Sequence, residues 1–401
     1  MRPGRLLLLG GEDVDSLSRQ LEELWEGASR AASLAELPAA EPIAGQPLRA
    51  ALVAPDPEEL AQRIEVLSSW LRQPFPQRLR AQRGIALGRA IENPRIGFLF
   101  PGQGAPVPSD PGYLGDWAPK AAGVYVHAVD LQASEMVPAD LVQLSIVTAS
   151  VAGLRALRGL GIEAAWGLGH SVGELTALHW AGAIGEEEVL RIARRRGEVM
   201  TEHASADGAM ANIEADEQTF ASVVDGAEVT VACLNSPRHR VISGATPAVD
   251  EVVARARERD GTRVVRLRVG GAFHSPLMRE TVPVFMRGLE HEEFGPLSRP
   301  VYSTVTGTEI EKGDDLRTLL GRQMTEPVRF LDAAREAAAN ADLLLEVGPG
   351  RMLSGLVAEF TEVPAVPLRV GHTSPQGLLT AAGAAHAIGV DVRAELLPAA
   401  R

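Results

Sequence analysis

The decapeptide WGLGHSVGEL, residues 166–175, sets Ser171 between Gly169 and Gly173, with His170 immediately before it. G-x-S-x-G is the pattern of a nucleophile elbow, a sharp strand-to-helix turn that exposes a serine hydroxyl. The flanking glycines leave room for the turn, and a helix N-terminus beneath the serine favours a developing oxyanion. Such a serine needs a base to take its proton. Of nine histidines, His274 has the best setting, because the run VVRLRVGGAF ends there and Ser275-Pro276 follows. His170 is adjacent in sequence, but neighbouring side chains diverge, which aims it away from that proton. No acid completes a triad by pattern, so a backbone carbonyl is left to orient the imidazole. Two plainer readings compete. Ser171 also reads as a helix N-cap, and Gly167, Gly169 and Gly173 as a dinucleotide-binding turn. The second requires a strand ending in an acid about 20 residues on, whereas EEEVLRIARRRGEVM follows, which is helical in pattern.

The elements around the turn suit an elbow. AAWGL reads as a strand and ELTALHWAGAI as a helix, the order of a parallel α/β sheet. Upstream, RIGFLF (95–100) reads as a buried strand that breaks at Pro101-Gly102-Gln103-Gly104, before a long apolar helix around LVQLSIVTASVAGLRALRGLG. Between 208 and 272 the pattern becomes β-α-β-β-α-β: GAMANIEA, DEQTFASVV, VTVACLN, RHRVISGA, PAVDEVVARARERDG and TRVVRLRV. That is the split order of a ferredoxin-like subdomain. LLLEVGPG (343–350) is another strand running into a turn. At the N-terminus, RLLLL and LRAALVA read as strands. Each is followed by a helix, the first capped by Asp13 or Asp15 and the second opened by proline and acids. A Pro/Ala-rich stretch, LPAAEPIAGQP, joins the two halves of this small α/β unit.

Composition bounds the rest. A chain of 401 residues exceeds what one core usually supports. A formal charge of −13 argues against a general nucleic-acid binder. Cys233 is the single cysteine, which excludes an internal disulfide and fits a reducing cytoplasm. The opening MRPGRLLLLGGEDVD has an apolar run too short for a signal peptide. No window of roughly 18 apolar residues suggests a membrane span, and no cluster has metal-ligand spacing, so neither a membrane nor a catalytic metal is expected.

Seven motifs then occur in a recognisable order: FLFPGQG (98–104), GHSVGE (169–174), RRGEVM (195–200), NSP (235–237), GAFHS (271–275), RQMTEPVRF (322–330) and LLEVGPG (344–350). Together they resemble the malonyl-CoA:acyl carrier protein transacylase family, including the acyltransferase domains of polyketide synthases. The residues before them resemble the linker between ketosynthase and acyltransferase. The resemblance implies an α/β fold in which an α/β-hydrolase-like core (93–206 and 273–372) is interrupted by a ferredoxin-like insert (207–272). A linker domain (1–92) would precede them and a C-terminal tail (373–401) would pack back on linker or core. The active site would lie between core and insert.

By the same resemblance, Ser171 is the acylated nucleophile and His274 its base. Gln103 and Val172 supply the oxyanion-hole N–H groups, and the main-chain carbonyl of Gln323 holds the histidine. Arg196 pairs with the free carboxylate of a malonyl group, with Gln143, Asn235 and His170 nearby. Without the motif, the run Arg194-Arg195-Arg196 reads as a solvated face. Malonyl-selective relatives tend to carry His-Ala-Phe-His where methylmalonyl ones carry Tyr-Ala-Ser-His. This chain has Gly271-Ala272-Phe273-His274, which makes Phe273 the expected steric filter. Pro106 departs from the glutamine often found there, and the loop after it is unusual.

The implied activity is transfer of malonyl from malonyl-CoA to the phosphopantetheine thiol of an acyl carrier protein. No permanently bound cofactor is expected, and the context would be a cytoplasmic megasynthase for antibiotic biosynthesis that also holds a ketosynthase. A serine acyl hydrolase (esterase or proofreading) and a non-catalytic docking module are the alternatives. Arg263, Arg266 and Arg268 surround the last strand of the insert. Arg266 and Arg268 would share one face by strand alternation; CoA phosphates or an acidic carrier protein are the alternative partners of these arginines, and a solvated face is the favoured reading.

Overall fold

In the computed structural model, residues 4–37, 45–76, 79–108, 110–127, 139–203, 207–394 and 397 are described. Most of the LPAAEPIAGQP stretch, the first three residues and the last of the C-terminal tail lie outside them.

The sheet that carries the elbow has five strands, in the order Val301–Tyr302, Trp166–Gly169, Ile96–Phe100, Leu343–Glu346 and Ala365–Pro367. Every neighbouring pair is parallel. Ile96–Phe100, Trp166–Gly169 and Leu343–Glu346 are buried at every residue. That is the signature of parallel strands covered on both faces. Ser171 follows the carboxyl end of Trp166–Gly169, the edge at which sheets of this kind bind ligands.

The helix Ala139–Gly159 packs against Glu186–Glu202 on this sheet. Among the described residues it is the one helix long and apolar enough, by length and composition, to cross a membrane, with mean hydropathy 1.3. This revises the sequence expectation that no segment approaches that threshold. Of its apolar window, 78% is buried inside the fold, which makes it a core helix.

Residues 208–266 form a second sheet, antiparallel throughout, in the order Arg263–Arg266, Gly208–Glu214, His239–Ala245, Val229–Leu234. Two helices, Glu217–Val224 and Thr246–Arg257, cover it. Asp216 caps the first by accepting from Thr219 N–H. Ile213, Phe220, Val223, Val249 and Val252 make a core separate from that of the parallel sheet. The last strand stops at Arg266, short of the expected 269, so alternation does not carry to Arg268. Arg266 pairs with Asp250 instead of sharing a face with Arg268.

The N-terminal sheet is also antiparallel: Arg5–Gly11, Leu48–Ala54, Ile85–Arg89, Leu79–Gln82. Its last two strands form a hairpin the sequence reading missed, turning at Arg83-Gly84 where both residues have positive φ. Strand alternation gives this sheet two apolar faces. Leu7, Leu9, Ala50 and Leu52 meet Leu17, Leu21, Leu60 and Leu67 of the sheet's own helices. Leu6, Leu8, Ala51 and Val53 point the other way, into a cluster continuous with Leu378, Leu379 and Ala381 and with the parallel sheet. The helix Gln376–Ala387 fills that seam, and His386 Nε2 donates to the Leu9 carbonyl at 3.1 Å. The N-terminal unit and the C-terminal helix therefore share one core with the parallel sheet.

Candidate active site

Ser171 sits at φ 51°, in the left-handed region, a backbone that costs about 1–3 kcal/mol for a non-glycine residue. The glycines on either side show why no other residue fits. A Cβ on Gly169 would lie 2.2 Å from Glu174 N, and one on Gly173 would lie 2.2 Å from Phe100 O. The turn is thus pressed onto both the following helix and the neighbouring strand. His170 N–H donates to Phe100 O, and Glu174 N–H to Ser171 O, which pins the elbow at both ends. Val172 is the N-cap of the helix Gly173–Trp180. Neither its N–H nor that of Gln103 has a hydrogen-bond acceptor among the described residues.

His274 also holds positive φ, 57°. Its Nε2 lies 2.8 Å from Ser171 Oγ. Its Nδ1 faces two carbonyl oxygens, Gln323 O at 2.9 Å and Glu326 O at 3.2 Å. Carbonyls only accept, so the proton belongs on Nδ1 and the Nε2 lone pair is left facing the serine. Burial first, then the charges of Arg196 and His170, hold the His274 pKa down to about 3. The imidazole is therefore neutral, as a base must be.

Arg196 is 1% exposed. Its Nη1 donates to Gln143 Oε1 at 2.8 Å and its Nη2 to Ser171 Oγ at 3.4 Å. Nε is buried with no partner. Gln143 is held in turn through Nε2 to Gln103 Oε1 at 3.2 Å. Burial lowers the guanidinium to about 10, opposed by the charge of Glu174. It stays charged at neutral pH, with donor capacity unused and no direct ion-pair partner among the described residues. A carboxylate meets such a fork with two parallel hydrogen bonds.

His170 turns the other way: its Nε2 meets Asn235 Oδ1 at 2.8 Å, across to the antiparallel sheet. A cavity of about 530 Å³ opens between the two sheets. Gln103, His170, Ser171, Asn235, Phe273 and His274 line it, Met200 and Met210 add apolar wall, and Arg263 and Arg268 stand among its lining. Cys233 lines it too, but burial pushes its thiol up to about 12, so it offers no competing thiolate.

The model of the acyl transferase domain family matches residues 77–392. The chain belongs to that family. It is 34% identical to the acyltransferase domain of an iterative polyketide synthase in enediyne biosynthesis, with TM-score 0.82 and 98% of each chain covered. It is 32% identical over 283 residues to the malonyl CoA-acyl carrier protein transacylase of Bacillus subtilis, covering 66% of this chain and 89% of that protein. Polyketide synthase GfsB of Streptomyces halstedii is 32% identical over 374 residues, 85% of this chain. The chain spans 6% of that synthase's length.

Within this acyltransferase fold, one buried group escaped the sequence reading. Glu174, next but two after the serine, is 0% exposed. Its Oε2 accepts from Thr304 Oγ1 at 3.0 Å and Gln323 Nε2 at 2.9 Å, while Oε1 has no partner. Burial raises its pKa against those hydrogen bonds. Gln323 thus holds the histidine with its carbonyl and Glu174 with its amide. The signal was available: an acid in the first turn of the apolar helix ELTALHW. Acids are common there for the helix dipole alone, which hid it.

Proposed function

We propose that this chain is the acyltransferase of a polyketide synthase, moving malonyl from malonyl-CoA to the phosphopantetheine thiol of an acyl carrier protein. The observation that carries the reading is Arg196: a buried guanidinium with spare donors, 3.4 Å from the hydroxyl of a Ser–His pair. An esterase or proofreading hydrolase of uncharged acyl groups has no use for it. A docking module has no use for the pair.

In this reading Ser171 Oγ attacks the thioester carbon as its proton passes to His274 Nε2. The carbonyl oxygen becomes an oxyanion, met by the unpaired N–H groups of Gln103 and Val172. Collapse breaks the C–S bond, and CoA leaves as thiol with the proton from His274. The carrier's thiol then gives its proton to His274 and attacks the acyl-serine, and the serine is released with that proton. Arg196 holds the malonyl carboxylate throughout. Gln143 fixes the guanidinium, while Asn235 orients His170, which lines the acyl site. No resident cofactor or metal enters the scheme.

The finer architecture belongs to the same reading. The parallel sheet serves as an α/β-hydrolase-like core, 93–206 with 273–372, and the antiparallel sheet as a ferredoxin-like insert, 207–272. Its strand order supports that description. Residues 1–92 serve as the linker to a ketosynthase in a cytoplasmic megasynthase, and the tail 373–401 closes the seam through its helix Gln376–Ala387.

Incubation with radiolabelled malonyl-CoA tests the function. Label should appear on the protein, disappear in Ser171→Ala, and move to added holo-carrier. Release of malonate to water at the same rate with and without carrier would make it a hydrolase, and no labelling at all would leave a docking module.

A further inference from the structure

Four non-glycine residues among those described hold a left-handed backbone: Arg83 (φ 47°), Ser171, His274 and Arg369 (φ 55°). Two of them are the Ser–His pair. The other two line a different cleft, of about 690 Å³, where the N-terminal sheet meets the parallel sheet and the helix Gln376–Ala387 begins. At Arg83 the two-residue hairpin turn demands that backbone, and what sets the cleft apart is its charge.

The cleft is basic in an acidic protein. Arg63, Arg83, Arg351 and Arg369 line it against a single carboxylate, Glu59, and that one is paired with Arg63. Arg83, Arg351 and Arg369 are exposed, with no carboxylate partner among the described residues. Arg63 is 8% exposed, and its Nη1 is buried without a partner. Like charges brought together on a chain of net charge −13 repel one another at a cost, unless an anion meets them.

The cleft's position ties it to the chemistry. Arg351 and Arg369 follow the carboxyl ends of strands Leu343–Glu346 and Ala365–Pro367, the same edge from which Ser171 rises. Three strand spacings separate the last strand from the elbow's strand, roughly 14 Å. Arg351 is followed by Met352, which lines the active-site cavity. A pantetheine arm is about as long as five extended residues, ~17 Å. A thiol at Ser171 thus leaves the protein that carries the arm within reach of these arginines.

We propose that this cleft docks the acyl acceptor: an acidic protein surface whose carboxylates are met by Arg83, Arg351 and Arg369 while its pantetheine arm reaches to Ser171. The inference rests on the acyltransferase reading and names where its second substrate binds. It also gives the N-terminal unit a part in the reaction, since Arg63 and Arg83 come from it and Arg351 and Arg369 do not.

The two half-reactions separate the possibilities. In the full chain, Arg83→Glu with Arg369→Glu should leave acylation of Ser171 by malonyl-CoA unchanged. Transfer to holo-carrier should show a KM raised about tenfold or more, with a weaker dependence on salt. Transfer to free pantetheine should not change. An unaltered carrier KM overturns the proposal. So does an equal loss of acylation from malonyl-CoA in a folded variant, which would give the cleft to CoA's own phosphates. Should the reversed pair fail to fold, Arg83→Asn with Arg369→Asn removes the charge with a residue that tolerates this backbone, and the same readouts apply. Wild type that forms no acyl-serine would instead overturn the acyltransferase reading, which acylation alone reports.

Discussion

Ser171 and His274 meet at 2.8 Å with both backbones in the left-handed region, φ 51° and 57°. The backbone of Ser171 is fixed by strand and helix packed against its glycines, while the imidazole of His274 is held by the carbonyls of Gln323 and Glu326. Replacing His274 with alanine should slow acylation about 10²–10⁴-fold, the usual share of a positioned base. The pH profile is the sharper check. With its pKa held to about 3, His274 is neutral across the usual range, so kcat/KM should show no inflection near 6.5. In the substrate complex the malonyl carboxylate offsets Arg196, so the acid inflection in kcat should lie higher than that in kcat/KM. An ordinary histidine titration in kcat/KM would contradict the geometry.

His386 offers a stability test away from the chemistry. Burial first, with Arg49, lowers its pKa to about 4 against the opposing bond to Leu9 O. The unfolded chain takes that proton near 6.5, so between 6.5 and 4 it binds more protons than the native state, and stability is lost as pH falls. Buried His170 and His274 act in the same direction. Glu174 and Glu346, raised by burial, act in the opposite one. His386→Gln isolates one contribution, since its amide can still donate to Leu9. From pH 7 to 4, wild type should lose about 3 kcal/mol more than the variant in urea denaturation. Superimposable pH dependences would remove His386 from the account.

Arg196→Ala should reduce malonyl transfer and shift selectivity towards acetyl. A substrate carboxylate left unpaired in a buried site costs about 3–5 kcal/mol. Arg196→Lys keeps the charge but not the fork that grips both Gln143 and a carboxylate, and should recover only part of the loss. The malonyl/acetyl ratio of kcat/KM is the measurement, and a ratio unchanged in Arg196→Ala would place the carboxylate elsewhere.

Glu174→Gln should slow acylation while leaving the KM for malonyl-CoA nearly unchanged. The carboxylate touches no substrate atom, but it holds the Gln323 amide on the turn whose carbonyl orients His274. Glu174→Ala should slow the reaction further, because Thr304 and Gln323 both lose their acceptor. Equal rates in wild type and Glu174→Gln would make the network packing alone.

Local order was legible where hydrophobic period and turn chemistry agreed. LRAALVA, the β-α-β-β-α-β run and the strand–elbow–helix around Ser171 all stand in the structure near their expected bounds. The hairpin at Arg83-Gly84 was not, because its strands are short and carry arginine and glycine in place of a clear alternation. Nor was the shared core. An alanine-rich helix such as LLTAAGAAHA shows no face, and only the sheet's second apolar side reveals what it must cover. Motif order foretold which residues gather at the site. What it did not carry is contact between side chains far apart in sequence, such as Glu174 with Gln323.

Phe273 is the residue expected to decide how the acyl pocket treats a branched substrate. It is 6% exposed and lines the same cavity as Ser171 and His274. Met200 and Met210 line the same cavity, each almost fully buried. An α-methyl group on the acyl chain then has to displace a packed ring. Excluding one methyl from such a pocket is worth about 1–3 kcal/mol, or roughly 10–200-fold in kcat/KM. Wild type should therefore prefer malonyl-CoA over methylmalonyl-CoA clearly but incompletely when both compete at equal concentration. Phe273→Ser opens the space and should bring the two rates closer, chiefly by raising methylmalonyl transfer. Arg196 is untouched in that variant, so both substrates keep their carboxylate partner and the comparison reads size alone. Equal use of both thioesters by wild type would show that the ring does not face the α-carbon, while leaving the Ser171–His274 chemistry as it stands.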